Sequence, residues 1–270
     1  MRSKLIGAAS AAAIGLLAFG VANADPAPAD TAVVPQGTVS GSYSYLTANH
    51  GANANIWSVQ GAGIAPVMGD FSVQLKAGYD GLGLKGGDFN NWRVSGAASW
   101  DSARGRLGVN SGFDALNGLG TNLDFVNYGA YGEFYVGPRI TLGLRGGGAT
   151  GWASALGARS NDFNGGYVGG EGIYYLMPDL DAQGHVEYDT VGGLRQTNVG
   201  LQAEYLYSQD LPISGWVGYD YTHFDGAGVS LDDNKFSVGL RYYIGGSGSL
   251  VNHQRTGVDD WATAPLAFLR

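Results

Sequence analysis

The feature that most limits how this chain can fold is an alternation of apolar and polar side chains that recurs along residues 37–244. In residues 71–80, FSVQLKAGYD, every second side chain from Phe71 to Tyr79 is apolar, and most of those between them are polar. A period of two places alternate side chains on opposite faces of a β-strand. We predict twelve such strands, at residues 37–46, 56–65, 71–80, 91–100, 104–113, 125–136, 139–148, 166–176, 180–189, 197–207, 213–223 and 235–244.

The two ends of the chain lie outside this pattern. Arg2 and Lys4 precede an apolar run that ends at the sequence ANA, residues 22–24, and this order predicts a secretory signal peptide at 1–24; the alternative is an N-terminal membrane anchor. Residues 25–36 are predicted to be an extended periplasmic leader. The C-terminal tail, residues 245–270, is predicted either to hang in the periplasm or to fold back as a partial plug.

Composition excludes several classes of protein. Glycine supplies 47 of 270 residues, a content that helices tolerate badly, and 12% of residues are aromatic, which argues against a disordered linker. No cysteine is present, so no disulfide framework supports the fold. Acidic residues number 23 against 15 basic ones. This excess argues against nucleic-acid binding, which depends on neutralising phosphates.

The connections between predicted strands alternate in length. The second and third strands are joined by PVMGD and the sixth and seventh by GP, whereas the first and second are joined by TANHGANAN. No later segment approaches 18 consecutive apolar residues, so a membrane-spanning form would have to be a closed barrel. Transmembrane barrels have short periplasmic turns and longer extracellular loops. We therefore predict an all-β fold: a closed, antiparallel, up-and-down transmembrane β-barrel of about 12 strands.

The apolar face carries aromatic side chains at both strand ends and aliphatic ones between them, as expected where rings meet two membrane interfaces. The alternative is a soluble exported β-protein with this face in its core. The predicted periplasmic belt is Phe71, Trp100, Phe134, Tyr174, Tyr205, Tyr207 and Tyr242. The predicted outer belt is Tyr43, Tyr45, Trp57, Tyr79, Trp92, Phe113, Tyr128, Tyr188, Tyr219, Tyr221 and Phe236.

The last predicted strand, KFSVGLRYYI, carries a more specific likeness. Ser237, Gly239, Tyr242 and Ile244 resemble the assembly signal of Gram-negative outer-membrane β-barrel proteins, among which small twelve-stranded porins have the most similar architecture. The resemblance implies an outer-membrane location and, as partners, outer-membrane lipid and the barrel assembly machinery. Two departures are that Ile244 stands where an aromatic residue is usual and that the chain continues to Arg270.

The polar face would line the lumen, because a lysine or arginine facing mid-bilayer lipid costs about 2–4 kcal/mol. The predicted basic wall is Lys76, Arg93, Arg104, Arg106, Arg139, Arg145, Lys235 and Arg241. The predicted acidic wall is Glu171, Asp181, Glu187, Asp189, Glu204 and Asp220. Such walls would orient solutes in a water-filled lumen, or they would meet as salt bridges in a closed one.

These patterns predict a porin-like channel for passive diffusion of small polar or charged solutes. The alternative is a non-conducting barrel with a structural, adhesive or surface-display role. An enzyme is not expected: His223 with Asp225, Asp232 and Asp233 is better interpreted as a solvated loop than as a catalytic site. The glycine-rich GLGLKG, residues 81–86, opens no helix, so no cofactor is predicted, and the spacing of His50 and His253 predicts no metal.

Overall fold

A computed structural model shows a closed barrel of twelve antiparallel strands, which confirms the predicted fold class. It describes residues 35–49, 53–84, 87–118, 121–155, 158–208, 210–226, 228–245 and 248–261. The predicted signal peptide and nearly all of the leader lie outside these residues. The strands are β1 Gln36–Ala48, β2 Asn53–Met68, β3 Phe71–Leu84, β4 Gly87–Ser102, β5 Gly105–Gly118, β6 Thr121–Val136, β7 Ile140–Ala155, β8 Ala158–Met177, β9 Leu180–Val191, β10 Leu194–Leu206, β11 Ile213–Gly226 and β12 Val229–Ile244.

Each strand pairs with its sequence neighbours, and β1 pairs with β12 to close the ring. The closing register sets Val39 opposite Tyr242 and Ser44 opposite Ser237. Several strands run further than predicted, most of all β8, which has 20 residues. The additional residues lie mainly at the ends joined by the longer connections, where backbone pairing continues through glycine-rich and asparagine-rich sequence that resembles a loop.

The outer surface of the barrel is apolar, and the interior is polar. Val59, Val94 and Leu240 keep more than half of their side-chain surface exposed, whereas Ser72, Asn198 and Ser214 are buried on the opposite face. Exposed rings lie at both ends of the strands, as predicted, for example Trp92 towards the long loops and Phe71 at a short turn. No helix within the described part of the chain is long and apolar enough to cross a membrane.

One short helix follows the barrel in the described residues. Helix α1 spans Leu250–Thr256, and the side chain of Ser249 caps it by accepting a hydrogen bond from the backbone N–H of Asn252. We call residues 248–261 the docked tail. Its side chains are largely buried; Leu250 is fully buried and Trp261 is 6% exposed. The tail is buried against inward-facing side chains of the barrel, among them Gln74 and Arg106.

The apolar exterior leads to a prediction about Leu240, which is 59% exposed and lies between the rings of Phe236 and Tyr242 on β12. Leu240→Arg should lower the free energy of unfolding in lipid vesicles by about 2–4 kcal/mol, because it places a charge near mid-bilayer. The matched control is Leu211→Arg, at a residue that is 57% exposed in the connection after β10. Urea titrations that gave equal losses for the two variants would contradict the assigned exterior.

Candidate functional site

The barrel interior is divided into an open part and a filled part. A cavity of about 560 Å³, which we call the vestibule, is bounded mainly by inward side chains of β1–β4 and β9–β12. Gln254, Val258, Asp259, Asp260 and Trp261 of the docked tail also line it. The tail's contacts to the wall lie near the strand ends that the short turns connect. The tail therefore forms the floor of the vestibule on the short-turn side.

Asp260 is the electrostatic anchor of the docked tail. Its two carboxylate oxygens lie 2.8 Å from Nζ of Lys76 on β3 and 2.6 Å from Nη2 of Arg241 on β12. Burial favours the neutral carboxyl, but the charges of Lys76 and Arg241 outweigh it and hold the pKa of Asp260 well below its usual range. Asp260 therefore stays ionised throughout the neutral and mildly acidic range.

Inward-facing polar side chains of the barrel also form hydrogen bonds with the backbone of the tail. The Gln74 amide donates to the carbonyl oxygen of Asp259 at 2.7 Å and accepts from the Asp259 backbone N–H at 2.8 Å. Nη1 of Arg106 donates to the Gly257 carbonyl at 3.2 Å, and the Tyr135 hydroxyl to the Arg255 carbonyl at 2.9 Å. These bonds satisfy backbone groups that burial would otherwise leave unpaired.

Two arginines pack against aromatic rings where the tail meets the wall. Arg255 of the tail lies 4.9 Å from the ring centroid of Tyr135 and 5.3 Å from that of Tyr175. On the barrel side, Arg145 lies 4.5 Å from the ring of Trp261 and donates to its carbonyl oxygen at 3.1 Å. Cation–π contacts of this kind strengthen when they are shielded from water. Together with the hydrogen bonds, they fix the tail in one position.

Two members of the predicted basic wall were wrongly assigned. Arg104 and Arg139 lie in the turns before β5 and β7 and are exposed, outside the strands. Their parity matches that of inward residues, but parity has meaning only while the strand continues. Arg106 is 1% exposed and is bound to Asp101 and the tail.

The other predicted basic residues face the interior but bind nearby acids instead of forming a separate wall. Arg145 pairs with Glu187 at 2.5 Å, Lys235 with Asp220 at 3.2 Å, and Arg241 with Glu204 at 3.0 Å. Arg93 on β4 pairs with Asp80 on the adjacent β3.

The predicted acidic residues are also placed on the interior side. Asp181, Glu187, Asp189 and Glu204 are buried, and Asp220 and Glu171 line the vestibule. Asp181 accepts a hydrogen bond from the tail's Gln254 at 2.6 Å. Some acids lie among the bases, such as Asp101 beside Arg106. Opposite charges are thus paired at short range, which is the second of the two arrangements that the sequence left open.

Sequence reasoning missed two groups of interior side chains. The first is a set of tyrosines, including Tyr135, Tyr175 and Tyr243, that fill the short-turn end around the tail. Their position on the polar parity was an available signal. The second is a group of apolar side chains at the outer end of the vestibule, on β1–β3, β5, β11 and β12: Leu46, Ile56, Leu82, Leu116, Phe224 and Leu231.

The four residues of the predicted assembly signal divide between the two faces. Ser237 is buried and bonded to Ser44 across the β1–β12 closure at 2.7 Å, while Tyr242 and Ile244 are 44% and 48% exposed on the outer face. Gly239 faces inward beneath Trp216, where a Cβ would lie 2.5 Å from the indole ring. A side chain at residue 239 would therefore force the ring of Trp216 to move.

Comparisons with known proteins support the fold alone. No protein-family model and no curated protein sequence matches the chain. The solved structure of the NanC porin aligns with a TM-score of 0.51 at 12% identity, covering 76% of this chain and 98% of that one. The KdgM porin in complex with disordered oligogalacturonate gives 0.47 at 12%, covering 76% and 98%. The translocator domain of the autotransporter NalP from Neisseria meningitidis gives 0.49 at 18%, covering 87% and 96%. The predicted resemblance to outer-membrane barrels is confirmed at the level of fold.

The burial of His253 predicts that docking of the tail depends on pH. Its ring stacks on Tyr243 at 4.5 Å, and neither ring nitrogen has a hydrogen-bond partner among the described residues. Burial lowers the pKa of His253, although Asp179 and Glu204 oppose this effect. The docked state therefore favours the neutral ring. The stabilisation of the docked state by the neutral His253 ring is fully present above the ordinary pKa of about 6.5. It is lost as the pH falls through the lowered pKa.

We predict that acidification releases the tail through His253. In a Thr256→Cys variant, the rate of thiol modification should measure how often the tail leaves its site, because Thr256 is 5% exposed. The control is the same rate in a double variant, Thr256→Cys with His253→Phe. Phenylalanine keeps a ring stacked on Tyr243 but has no group that binds a proton, so this rate reports only the pH dependence of the reagent. The modification rate of Thr256→Cys, divided by that of the double variant, should rise several-fold as the pH is lowered from 7.5 to 5.5. A ratio that stays constant would contradict this role of His253.

Proposed function

We propose that this protein is an outer-membrane channel for the passive diffusion of small polar or charged solutes, and that the docked tail closes it from the periplasmic side. The observation that carries the proposal is the vestibule, a cavity of about 560 Å³ lined by charged, hydroxyl and amide side chains as well as apolar ones, inside a closed barrel with an apolar exterior. A polar lumen behind a lipid-facing surface is typical of barrels that conduct solutes.

Features of the interior favour a conducting lumen over a solid core. Serine and glutamine side chains line the vestibule along β1 and β2, among them Ser40, Ser42, Ser58 and Gln60. Small hydroxyl groups leave room for water and offer hydrogen bonds without fixed charge. NanC, with which the chain shares its barrel architecture, is described as a porin.

The tail's contacts are suited to reversible closure. They are hydrogen bonds, ion pairs and ring contacts, and the chain has no cysteine that could fix the segment within the lumen by a disulfide. Much of what these contacts contribute is offset by the entropy lost when the tail is ordered. Residues 248–261 would therefore alternate between a docked state, which blocks the lumen, and a released state, which opens it.

The test is single-channel recording of the full chain in planar bilayers. The wild type should give discrete current steps with a low open probability. Asp260→Asn removes the charge that Lys76 and Arg241 hold, and should raise the open probability about tenfold, which corresponds to about 1.4 kcal/mol. Asp70→Asn is the matched control, because Asp70 is an exposed carboxylate in the turn between β2 and β3.

Two results would contradict parts of this account. The absence of current from both the wild type and Asp260→Asn would exclude a channel and favour a non-conducting barrel with the tail as a permanent plug. Equal open probabilities in the wild type, Asp260→Asn and Asp70→Asn would mean that Asp260 does not hold a gate.

A further inference from the structure

One row of residues crosses the vestibule wall without a charged group. Trp216 on β11 lies opposite Gly239 on β12, which in turn lies opposite Ser42 on β1. Ser42 lies opposite Ser58 on β2. Facing residues on neighbouring antiparallel strands are about 4.5–5.5 Å apart, so these four form one continuous surface. We call them the uncharged row; its three side chains, those of Trp216, Ser42 and Ser58, line the vestibule.

The indole ring of Trp216 extends sideways over Gly239. A Cβ at residue 239 would lie 2.5–2.6 Å from three atoms of the ring, including Nε1. The indole N–H is buried and has no hydrogen-bond partner in the part of the chain that the structure describes. Buried tryptophans usually find an acceptor for this group, so a hydrogen bond does not explain the position of the ring. What the half-buried side chain offers to the vestibule is the surface of its ring.

The polar side chains beside the indole are free to bind a solute. Ser42, Ser58 and the neighbouring Gln60 are half-buried, line the vestibule and have no hydrogen bond to any described residue. They differ in this from Ser44, whose hydroxyl is bonded to that of Ser237 at 2.7 Å. A free hydroxyl or amide group donates to and accepts from water, and the hydroxyl groups of a solute can replace that water at little cost in enthalpy.

Ion pairs bound the uncharged row at both ends. Beyond Trp216 lies Glu204 on β10, whose carboxylate binds Arg241 at 3.0 Å. Beyond Ser58 lies Asp80 on β3, which pairs with Arg93. Each of these carboxylates already has a cation beside it, so neither end of the row presents charge of one sign to a solute. This wall of the vestibule therefore suits an uncharged molecule better than an ion.

We infer that the uncharged row binds an uncharged, hydroxylated ring molecule such as a pyranose. The inference rests on the proposed function, because it names the solute class of the same lumen. An aromatic face is electrically negative, so it attracts the slightly positive C–H groups on the face of such a ring, while the hydroxyl groups at the ring edge reach Ser42 and Ser58. The volume of about 560 Å³ lies within the range of sites that enclose small organic molecules.

Protection of an introduced thiol tests the inference without requiring that the channel opens. The chain has no cysteine, so Ser42→Cys places its only thiol within the row. The probes are methyl β-glucopyranoside, sorbitol, which has hydroxyl groups but no ring, and 2-(hydroxymethyl)tetrahydropyran, which has the ring but a single hydroxyl. The glucoside should slow modification by methyl methanethiosulfonate at an about tenfold lower concentration than either of the others, because it alone makes both kinds of contact.

Three results of this measurement would overturn the inference. The first is equal protection by the glucoside and either of the other probes. The second is the absence of protection by any probe. The third is a thiol that does not react at all, because residue 42 would then not face an accessible lumen.

Variants in the Ser42→Cys background separate the ring contact from the hydroxyl contacts. Trp216→Leu should raise the half-protecting concentration of the glucoside several-fold and leave that of sorbitol unchanged. Trp216→Tyr keeps an aromatic face and should stay close to the parent, which distinguishes loss of the ring from loss of the fold. Ser58→Ala should weaken protection by the glucoside and by sorbitol alike.

The matched control is Trp92→Leu, the same substitution at a tryptophan that is 60% exposed on the outer face of the barrel. It should leave protection by every probe unchanged. Equal effects of Trp216→Leu and Trp92→Leu would place the glucoside outside the lumen and overturn the inference. Because protection and current are measured separately, failure here is distinguishable from failure of the channel proposal.

Discussion

The structure depends on the closure of its sheet into a ring by backbone hydrogen bonds between β1 and β12. A strand edge exposed to hydrocarbon leaves its N–H and C=O groups unpaired at a cost of several kcal/mol for each group, so the pairing of β1 with β12 is what makes an apolar exterior tolerable. Closure also determines the interior, because every polar side chain on the alternate parity must then share one confined lumen. The ion pairs, the tyrosines and the docked tail are ways of filling or hydrating that lumen.

Confinement explains why the interior charges pair locally. Arg145 with Glu187 and Lys235 with Asp220 each bring opposite charges into contact where the dielectric constant is low and an isolated charge would be costly. The tail extends the same principle to the short-turn end, where Asp260 satisfies Lys76 and Arg241 together. Removal of the tail would leave Arg241 paired with Glu204, and Lys76 would be solvated by water, which a hydrated lumen allows. The same contact can therefore close the lumen without making closure irreversible.

The sequence predicted the fold because alternation, connection length and aromatic position all reflect one physical environment, a bilayer around a closed sheet. For the same reason, the sequence correctly predicted that the side chains of Lys76 and Glu204 face the interior of the barrel. Arg104 and Arg139 were misplaced because parity does not mark where a strand begins. The position of the tail could not be predicted, because residues 245–270 show no strand period. The contact of Asp260 with Lys76 joins residues 184 positions apart, and no local pattern indicates it. The inward-facing apolar side chains at the outer end of the vestibule, such as Leu82 and Phe224, were not predicted, because leucine and phenylalanine at strand ends are expected to face lipid.

In the proposed gate, the tail occupies the lumen and must leave it for solutes to pass. The chain has no cysteine, so a pair introduced by Gln36→Cys and Thr256→Cys would supply its only thiols, at side chains that are hydrogen-bonded at 2.9 Å. Single-channel current should be absent when the pair is cross-linked by oxidation or a short bifunctional reagent, and should return when an oxidised pair is reduced. Current of equal size and open probability in the cross-linked and reduced protein would contradict the claim.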